Sequence, residues 1–359
     1  MVRFIIRRFA YGLLVLLGVI TVVFFLFNVL PGDPARMMLG QRADISTVES
    51  IQEELGLDKP LPIQYVNYLN DLSPISVHNS NNKESFFFLD NNKYAPYKKL
   101  ISSGDHTIVL KYPFLRTSYQ SNMPVSQMLL EAFPNTLILA AASMIFALII
   151  GLLTGIICDV YNDSIFSKIV LMFSVTGMSL PSFFSAILIA WVFAYLLGDI
   201  TGLNMVGNLI MVDDFGEGTY YECKNLILPA FTLGIRPLAI ITELTRSSLL
   251  NVLSQDYIRT AKAKGLSFVR IIARHALKNA LNPIITSTSG WFASLLAGAV
   301  FVEYVFDWKG IGSLIVKSLE YYDFPVLMGA VLLVAVMMVI VNILVDIIYG
   351  ILDPRIVLK

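Results

Sequence analysis

The sequence predicts an all-α polytopic membrane protein with six transmembrane helices and a small mixed subdomain outside the membrane after the first helix. Three observations carry this. Of 359 residues, 56% are hydrophobic and only 14% charged, against about 25% charged in an average soluble domain, and the mean hydropathy is +0.70. Six segments approach the roughly 20 apolar residues needed to cross a hydrocarbon core about 30 Å thick. The 26 basic and 26 acidic residues cancel in total, yet they segregate sharply between the connecting segments. So few charges could not cover a soluble surface, which excludes a nucleic-acid-binding module, a disordered scaffold and an ordinary cytosolic enzyme.

The first span, Phe9 to Leu30, is uncharged and follows Arg3, Arg7 and Arg8. It is too long for a signal peptide and has no small-residue cleavage site, so it is expected to be retained. Residues 31–131 form one outer segment. It opens with turn chemistry at Pro31-Gly32-Asp33-Pro34, and Ser46 to Glu49 has capping-box spacing for a short helix ending at Gly56. A second short helix is expected around Gln64 to Leu72, and short strands at Phe86–Leu89 and Thr107–Leu110. His78 and His106 lie here without metal-ligand spacing, which makes them surface or packing histidines. Residues 132–359 hold the remaining spans.

Thr136–Cys158 carries no charge, and neither does Ile169–Gly198, where Pro181 is expected to kink the helix and open space near Ser182 and Ser185. Leu226–Thr242 carries only Arg236; Pro283–Val302 and Pro325–Val345 carry none. Lys and Arg collect on the cytoplasmic side. The segment 254–283 carries Arg259, Lys262, Lys264, Arg270, Arg274 and Lys278 against Asp256 alone, whereas the segment after the third span carries Asp199, Asp213, Asp214, Glu217 and Glu222. Both agree with a basic N-terminus held inside, giving six helices with both termini cytoplasmic. Cys158 and Cys223 then lie near opposite faces and are too few for a disulfide framework.

The basic inner segment has helical composition on both sides of Gly265. Glycine supplies the positive φ that lets one helix stop and another start. Tyr257, Ala261 and Leu266 offer a compact apolar surface between charges. A helix lying on anionic lipid and a docking helix for a cytoplasmic partner both remain open.

At this segment the chain resembles the inner-membrane permease subunits of ATP-binding cassette importers, whose Glu-Ala-Ala loop is followed after three residues by Gly. Arg259, Thr260 and Ala261 occupy the Glu-Ala-Ala positions, so the Glu is absent. The form Asp256-Tyr257-Ile-Arg259-Thr260-Ala261-Lys-Ala-Lys264-Gly265-Leu266 looks like the dipeptide/oligopeptide branch. Similar segments are Leu30-Pro31-Gly32-Asp33-Pro34, Pro134-Asn-Thr136-Leu137, Leu244-Thr-Arg246-Ser-Ser248, Val302-Glu303-Tyr-Val-Phe306 with Gly310-Ile-Gly312, and Asn342-Ile-Leu-Val-Asp346 with Leu352-Asp-Pro-Arg355. Residues 74–112 look like an insertion. The resemblance implies a type I importer-like fold and import of di- or oligopeptides, with nickel or another small solute as the alternative cargo. It also implies a second homologous permease subunit, two cytoplasmic ATPases that bind ATP and Mg, and an extracytoplasmic substrate-binding protein. Asp256 to Leu266 would be the helix that couples to the ATPase.

An ionisable residue within a span normally faces protein or a water-filled cavity. Arg236 and Glu243 are seven residues apart, on one helix face with Thr232; together with Ser182 and Ser185 they are candidate path-lining residues. Asp346 is read as reaching the cytoplasmic edge, and Glu303 as interfacial. Gly290, Ser294 and Gly298 have the spacing of close helix packing, within the chain or against a second permease. No Gly-x-x-x-x-Gly-Lys-Ser/Thr loop occurs, so no ATPase site of the chain's own is expected, nor any cofactor or metal. A self-sufficient secondary transporter usually shows repeated halves, which are not evident here. An intramembrane enzyme lacks its motifs: no His-Glu-x-x-His and no Gly-x-Ser-x-Gly.

Overall fold

The computed structural model describes residues 2–29, 58–82, 85, 87–161, 164–213, 216 and 218–352. The turn at 31–34 and the short helix expected at 46–56 lie outside them. In chain order the main elements are α1 (Val2–Val29), α2 (Leu61–Leu72), β1 (Ile75–Asn79), β2 (Tyr97–Ser103), β3 (His106–Lys111), α3 (Val125–Val160), α4 (Ile165–Ser179), α5 (Ser182–Ile189), β4 (Ile210–Val212), β5 (Thr219–Tyr221), α6 (Lys224–Leu253), α7 (Asp256–Ala263), α8 (Leu277–Gly298), α9 (Val300–Val305), α10 (Ile311–Glu320) and α11 (Phe324–Leu352). The chain divides into two compact units, one of Met1–Leu13, Ala132–Val316 and Val336–Lys359, the other of Leu14–Glu131 and Lys317–Ala335.

Among the described residues, α1, α3, α6 and α11 are long and apolar enough to cross a membrane, and α4 with α5 makes a fifth if the bent pair is one span. The remaining expected span, Pro283–Val302, falls on α8 and α9, where Thr286, Ser287, Thr288 and Ser289 dilute its hydropathy. At Pro181 the structure has a full break where a kink was expected. Leu180, forced out of helical geometry by the proline that follows it, is extended (φ −74°, ψ 138°), and the two helices meet at 116°.

The first unit is held by α3 crossing α6 at close range. A Cβ on Gly155 would lie 2.5 Å from Thr245 Cβ, one on Gly151 2.9 Å from Ile241 Cγ2, and one on Gly234 2.9 Å from the Ser143 carbonyl oxygen. Thr154 and Thr242 share a hydrogen bond of 2.8 Å across the same contact. Small residues let backbones approach where lipid offers no hydrophobic drive. Gly290, the first of the small residues expected to pack, faces open space, whereas Gly151 and Gly155 on α3 make the contact. At the chain's ends Arg8 Nε meets Asp346 Oδ2 at 3.0 Å, so Asp346 is paired as well as half-exposed.

Glu303 is fully buried rather than interfacial. Its Oε2 accepts the Gly312 N–H at 2.7 Å and the Ser313 N–H at 3.3 Å, satisfying first-turn donors of α10 that a helix cannot pair internally. The buried Trp308 donates from Nε1 to the Asn135 carbonyl at 2.9 Å, Asn135 Nδ2 donates to the Lys309 carbonyl at 2.8 Å, and the Ile311 N–H donates to Thr136 Oγ1 at 2.8 Å. Two of the segments that carry the family resemblance thus meet in one loop.

In the second unit β1, β3 and β2 form an antiparallel sheet in that order. Phe88 makes one isolated bridge to Asn79, so the strand expected at 86–89 is absent among the described residues there; the Phe88 N–H instead closes a turn on the Ser85 carbonyl at 2.9 Å. Tyr68 of α2 packs with Val23, Phe24, Met328 and Leu332. Asp71 is buried and central: Tyr94 Oη donates to its Oδ1 at 2.6 Å, Lys93 lies at 3.5 Å, Arg116 at 3.9 Å, and Lys111 Nζ donates to its backbone carbonyl at 2.5 Å. His78 is a packing residue, buried, bonded to Ser76 Oγ at 2.9 Å and 4.6 Å from the Tyr94 ring; His106 is exposed.

Burial, followed by the neighbouring Lys93, pushes Lys111 down to about 8 against the pull of Asp71. Above pH 8 the folded lysine gives up its proton while the unfolded one keeps it to about 10.4, so the unfolded state binds more protons and stability rises with pH. Tyr68 and Tyr94 are pushed up by burial, so above about pH 10 tyrosines ionise first in the unfolded chain and stability falls again. The expected result is a gain on the order of 2 kcal/mol between pH 8 and 10, flattened by Lys111→Met. It is read as the temperature at which residues 58–131 become cleavable by a broad-specificity protease. A flat profile in the unsubstituted chain would contradict this account.

Candidate functional site: an anchored helix and a cationic cavity

Helix α7 ends in a motif that its sequence dictates. Gly265 takes φ +77°, the Gly265 N–H donates to the Lys262 carbonyl at 2.9 Å, and the Leu266 N–H reaches the Ala261 carbonyl at 3.3 Å. This is a Schellman cap, which satisfies carbonyls that a helix end leaves open. Ile258 and Ala261 are buried against Leu249, Ile271, Ala276 and Ala280, with Leu266 packed beside them. The outward apolar surface expected of Tyr257, Ala261 and Leu266 therefore reduces to Tyr257, because Ala261 and Leu266 face the chain's own core. Ile258, the deepest anchor, is absent from the expected set, although its apolar side chain three residues before Ala261 puts both on one helix face.

Asp256, Tyr257, Arg259, Thr260 and Lys264 are exposed. Tyr257 Oη accepts a hydrogen bond from Asn279 Nδ2 at 2.8 Å, and Arg259 lies 3.3 Å from Asp256 on the same helix. Such an exposed pair contributes little stability, so the Arg259 guanidinium is free to exchange this contact for another.

The second feature is a cavity of about 310 Å³ in the first unit. Ser182 and Ser185 of α5, Thr232 and Arg236 of α6, Trp291 and Ser294 of α8, and Phe301 of α9 line it. It lies beside the break at Pro181, with Gly177 before the break and Ser182 after it in its wall. The Leu180 carbonyl, released from the helical ladder, accepts a hydrogen bond from Arg236 Nη2 at 2.9 Å. Thr232 Oγ1 donates back to the Leu228 carbonyl at 2.7 Å, which leaves its lone pairs for the cavity. Four of the five candidate path-lining residues come together here. Glu243 does not join them; it is exposed near the far end of α6. Trp291, Ser294 and Phe301 are cavity residues that the intramembrane-charge argument does not reach, since none is ionisable.

A polytopic helical core, a capped basic helix standing out from it and a polar cavity within it define a membrane transport subunit. Residues 147–358 match the family described as "Binding-protein-dependent transport system inner membrane component", and residues 1–82 match its N-terminal component. The chain belongs to this family of multi-pass inner-membrane proteins, and its core is mostly helical. It is 34% identical to the dipeptide transport system permease protein DppB of Alkalihalophilus pseudofirmus over 99% of each chain, and 35% identical to the di/tripeptide DppB of Pseudomonas aeruginosa, also over 99% of each. It is 33% identical to the glutathione transport system permease protein GsiC of Pectobacterium atrosepticum over the same share. Among solved structures, a chain of the inward-facing MetNI methionine transporter aligns at 16% identity with a TM-score of 0.49, over 64% of this chain and 97% of its own.

Proposed function

We propose that the chain is a permease subunit of an ATP-driven importer for di- or oligopeptides. It forms half of the translocation path and has no ATPase site of its own. The observation that carries this reading is α7, whose inner face is anchored by Ile258 and Ala261 while its polar outer face stands free. Full-length likeness to dipeptide permeases supports the cargo. A helix clamped this way moves as one piece with the core, so a push on Asp256, Tyr257, Arg259, Thr260 or Lys264 reaches α6 and α8 undamped. The push would come from two cytoplasmic ATPases closing on ATP and Mg. A second homologous permease completes the path, an extracytoplasmic binding protein delivers peptide, and both termini lie in the cytoplasm. The 31–131 segment helps the binding protein dock.

The test is purification of the tagged chain from its native membrane in mild detergent, with mass-spectrometric identification of its companions. A second polytopic permease and Walker-motif ATPases, together with ATP-dependent dipeptide uptake in proteoliposomes, are the expected result. A chain that purifies alone and moves solute without ATP would overturn the reading.

A further inference from the structure

We infer that the cavity at the Pro181 break is a peptide subsite in which Arg236 takes the C-terminal carboxylate of the cargo. This deepens the peptide-importer reading and rests on it. Among the described residues lining the cavity, Arg236 is the one charged side chain, and no carboxylate faces it. An ionisable group at membrane depth is normally paired with an opposite charge or a backbone carbonyl. Here the carbonyl of Leu180 takes one N–H, and the guanidinium's remaining donors are left for an anion. The fork of an arginine matches a carboxylate in two parallel hydrogen bonds. Leu180 holds one arm of that fork at 2.9 Å, which restrains its orientation before cargo arrives.

The rest of the wall fits the same ligand. Ser182, Ser185, Thr232 and Ser294 offer hydroxyls for a peptide backbone, and Trp291 and Phe301 offer apolar surface for a side chain. A volume of about 310 Å³ sits at the low end of the roughly 300–1,000 Å³ typical of small-ligand sites, which suits a short peptide. The α5 helix begins at Ser182 on the same wall, and its first-turn N–H groups add to the positive field. The absence of an acid makes the site one-sided: it reads the carboxyl end of the peptide and ignores the amino end.

The experiment uses the wild-type complex purified with its partners, without the binding protein. Arginines are modified with phenylglyoxal in the presence of excess alanylalanine, its N-acetyl derivative or its C-terminal amide, and labelling is read residue by residue by mass spectrometry. The dipeptide and the N-acetyl form are expected to slow labelling of Arg236 at least about threefold, the amide to leave it unchanged, and Arg274, outside the coupling set and exposed in the chain, to be labelled equally throughout. Equal protection by the amide, or protection by none of the three, would overturn the assignment.

Uptake in proteoliposomes with the binding protein present supplies the second readout. The preference for free over amidated dipeptide is expected to fall about tenfold in Arg236→Gln, the scale of a lost charged hydrogen bond, and to persist in Arg236→Lys. An unchanged preference in Arg236→Gln places the discrimination in the binding protein and overturns the assignment. If Arg236→Gln does not assemble, the labelling result decides alone. A complex that imports no peptide sinks the cargo reading instead, whereas one that imports peptide with Arg236 unprotected sinks only this subsite.

Discussion

Gly265→Val is expected to abolish transport while leaving the chain in the membrane. A Cβ at this position would meet nothing within 4 Å, so the damage is not a clash. It comes from φ +77°, where a β-branched residue costs on the order of 1–3 kcal/mol. Relieving that strain breaks the bonds from Gly265 to Lys262 and from Leu266 to Ala261, and α7 loses the cap that seats Ile258 in its apolar socket. On the proposed coupling, a push on α7 would then bend the joint rather than move the core. Uptake is expected to fall more than tenfold, with the amount of chain in the membrane fraction unchanged. Gly265→Asn, which tolerates the left-handed region better, should keep a substantial part of it. Normal uptake by the valine variant would end the coupling assignment.

Gly312→Ala is expected to be the more damaging change to the fold itself. Its Cβ would lie 2.3 Å from Val300 Cα and 3.0 Å from Glu303 Oε2. The first contact is with backbone, which cannot swing aside. Overpacking of this kind costs about 1–3 kcal/mol, and displacing Glu303 adds the loss of its bonds to the α10 donors. Thermal unfolding of the purified chain should start several degrees earlier. Gly104→Ala is the control: its φ is +59° with nothing within 4 Å of the added carbon, so only the backbone term applies. Equal shifts for the two variants would show that the Glu303 loop is less tightly packed than described.

Much of the membrane core was legible because apolar length and charge segregation are properties of the chain alone. The α7 turn was legible for the same kind of reason: a glycine between two helical stretches admits few alternatives. Packing partners were harder. Small residues four apart occur at Gly151 and Gly155 as well as at Gly290, Ser294 and Gly298, and spacing does not say which stripe meets a neighbour. Glu303 looked interfacial because it ends an apolar run, yet its true partners are the N–H groups of Gly312 and Ser313 across a loop. In the outer segment, β2 and β3 join through Gly104-Asp105, a two-residue hairpin signal that the reading of 107–110 alone passed over. At the cavity, Arg236 announced itself by its charge, whereas Leu180 contributes only a carbonyl, which no side-chain pattern reveals.

The pairing of Arg8 with Asp346 also constrains parity. Arg8 stands near the start of α1 and Asp346 near the end of α11, 3.0 Å apart, so these two helix ends lie together, and if both helices cross a bilayer they do so with those ends at one face. Helices α1, α3, α6 and α11 account for four crossings. If the described residues hold every crossing and the two paired helix ends share a face, the bent pair and α8 share one fate: both cross, or neither does. If neither crosses, the basic stretch 254–283 falls on the face opposite Arg7 and Arg8. If both cross, the two basic regions share a face, as clustered lysines and arginines do. The second arrangement has the six spans that the sequence predicts, with the polar middle of α8 hiding one of them from a hydropathy count.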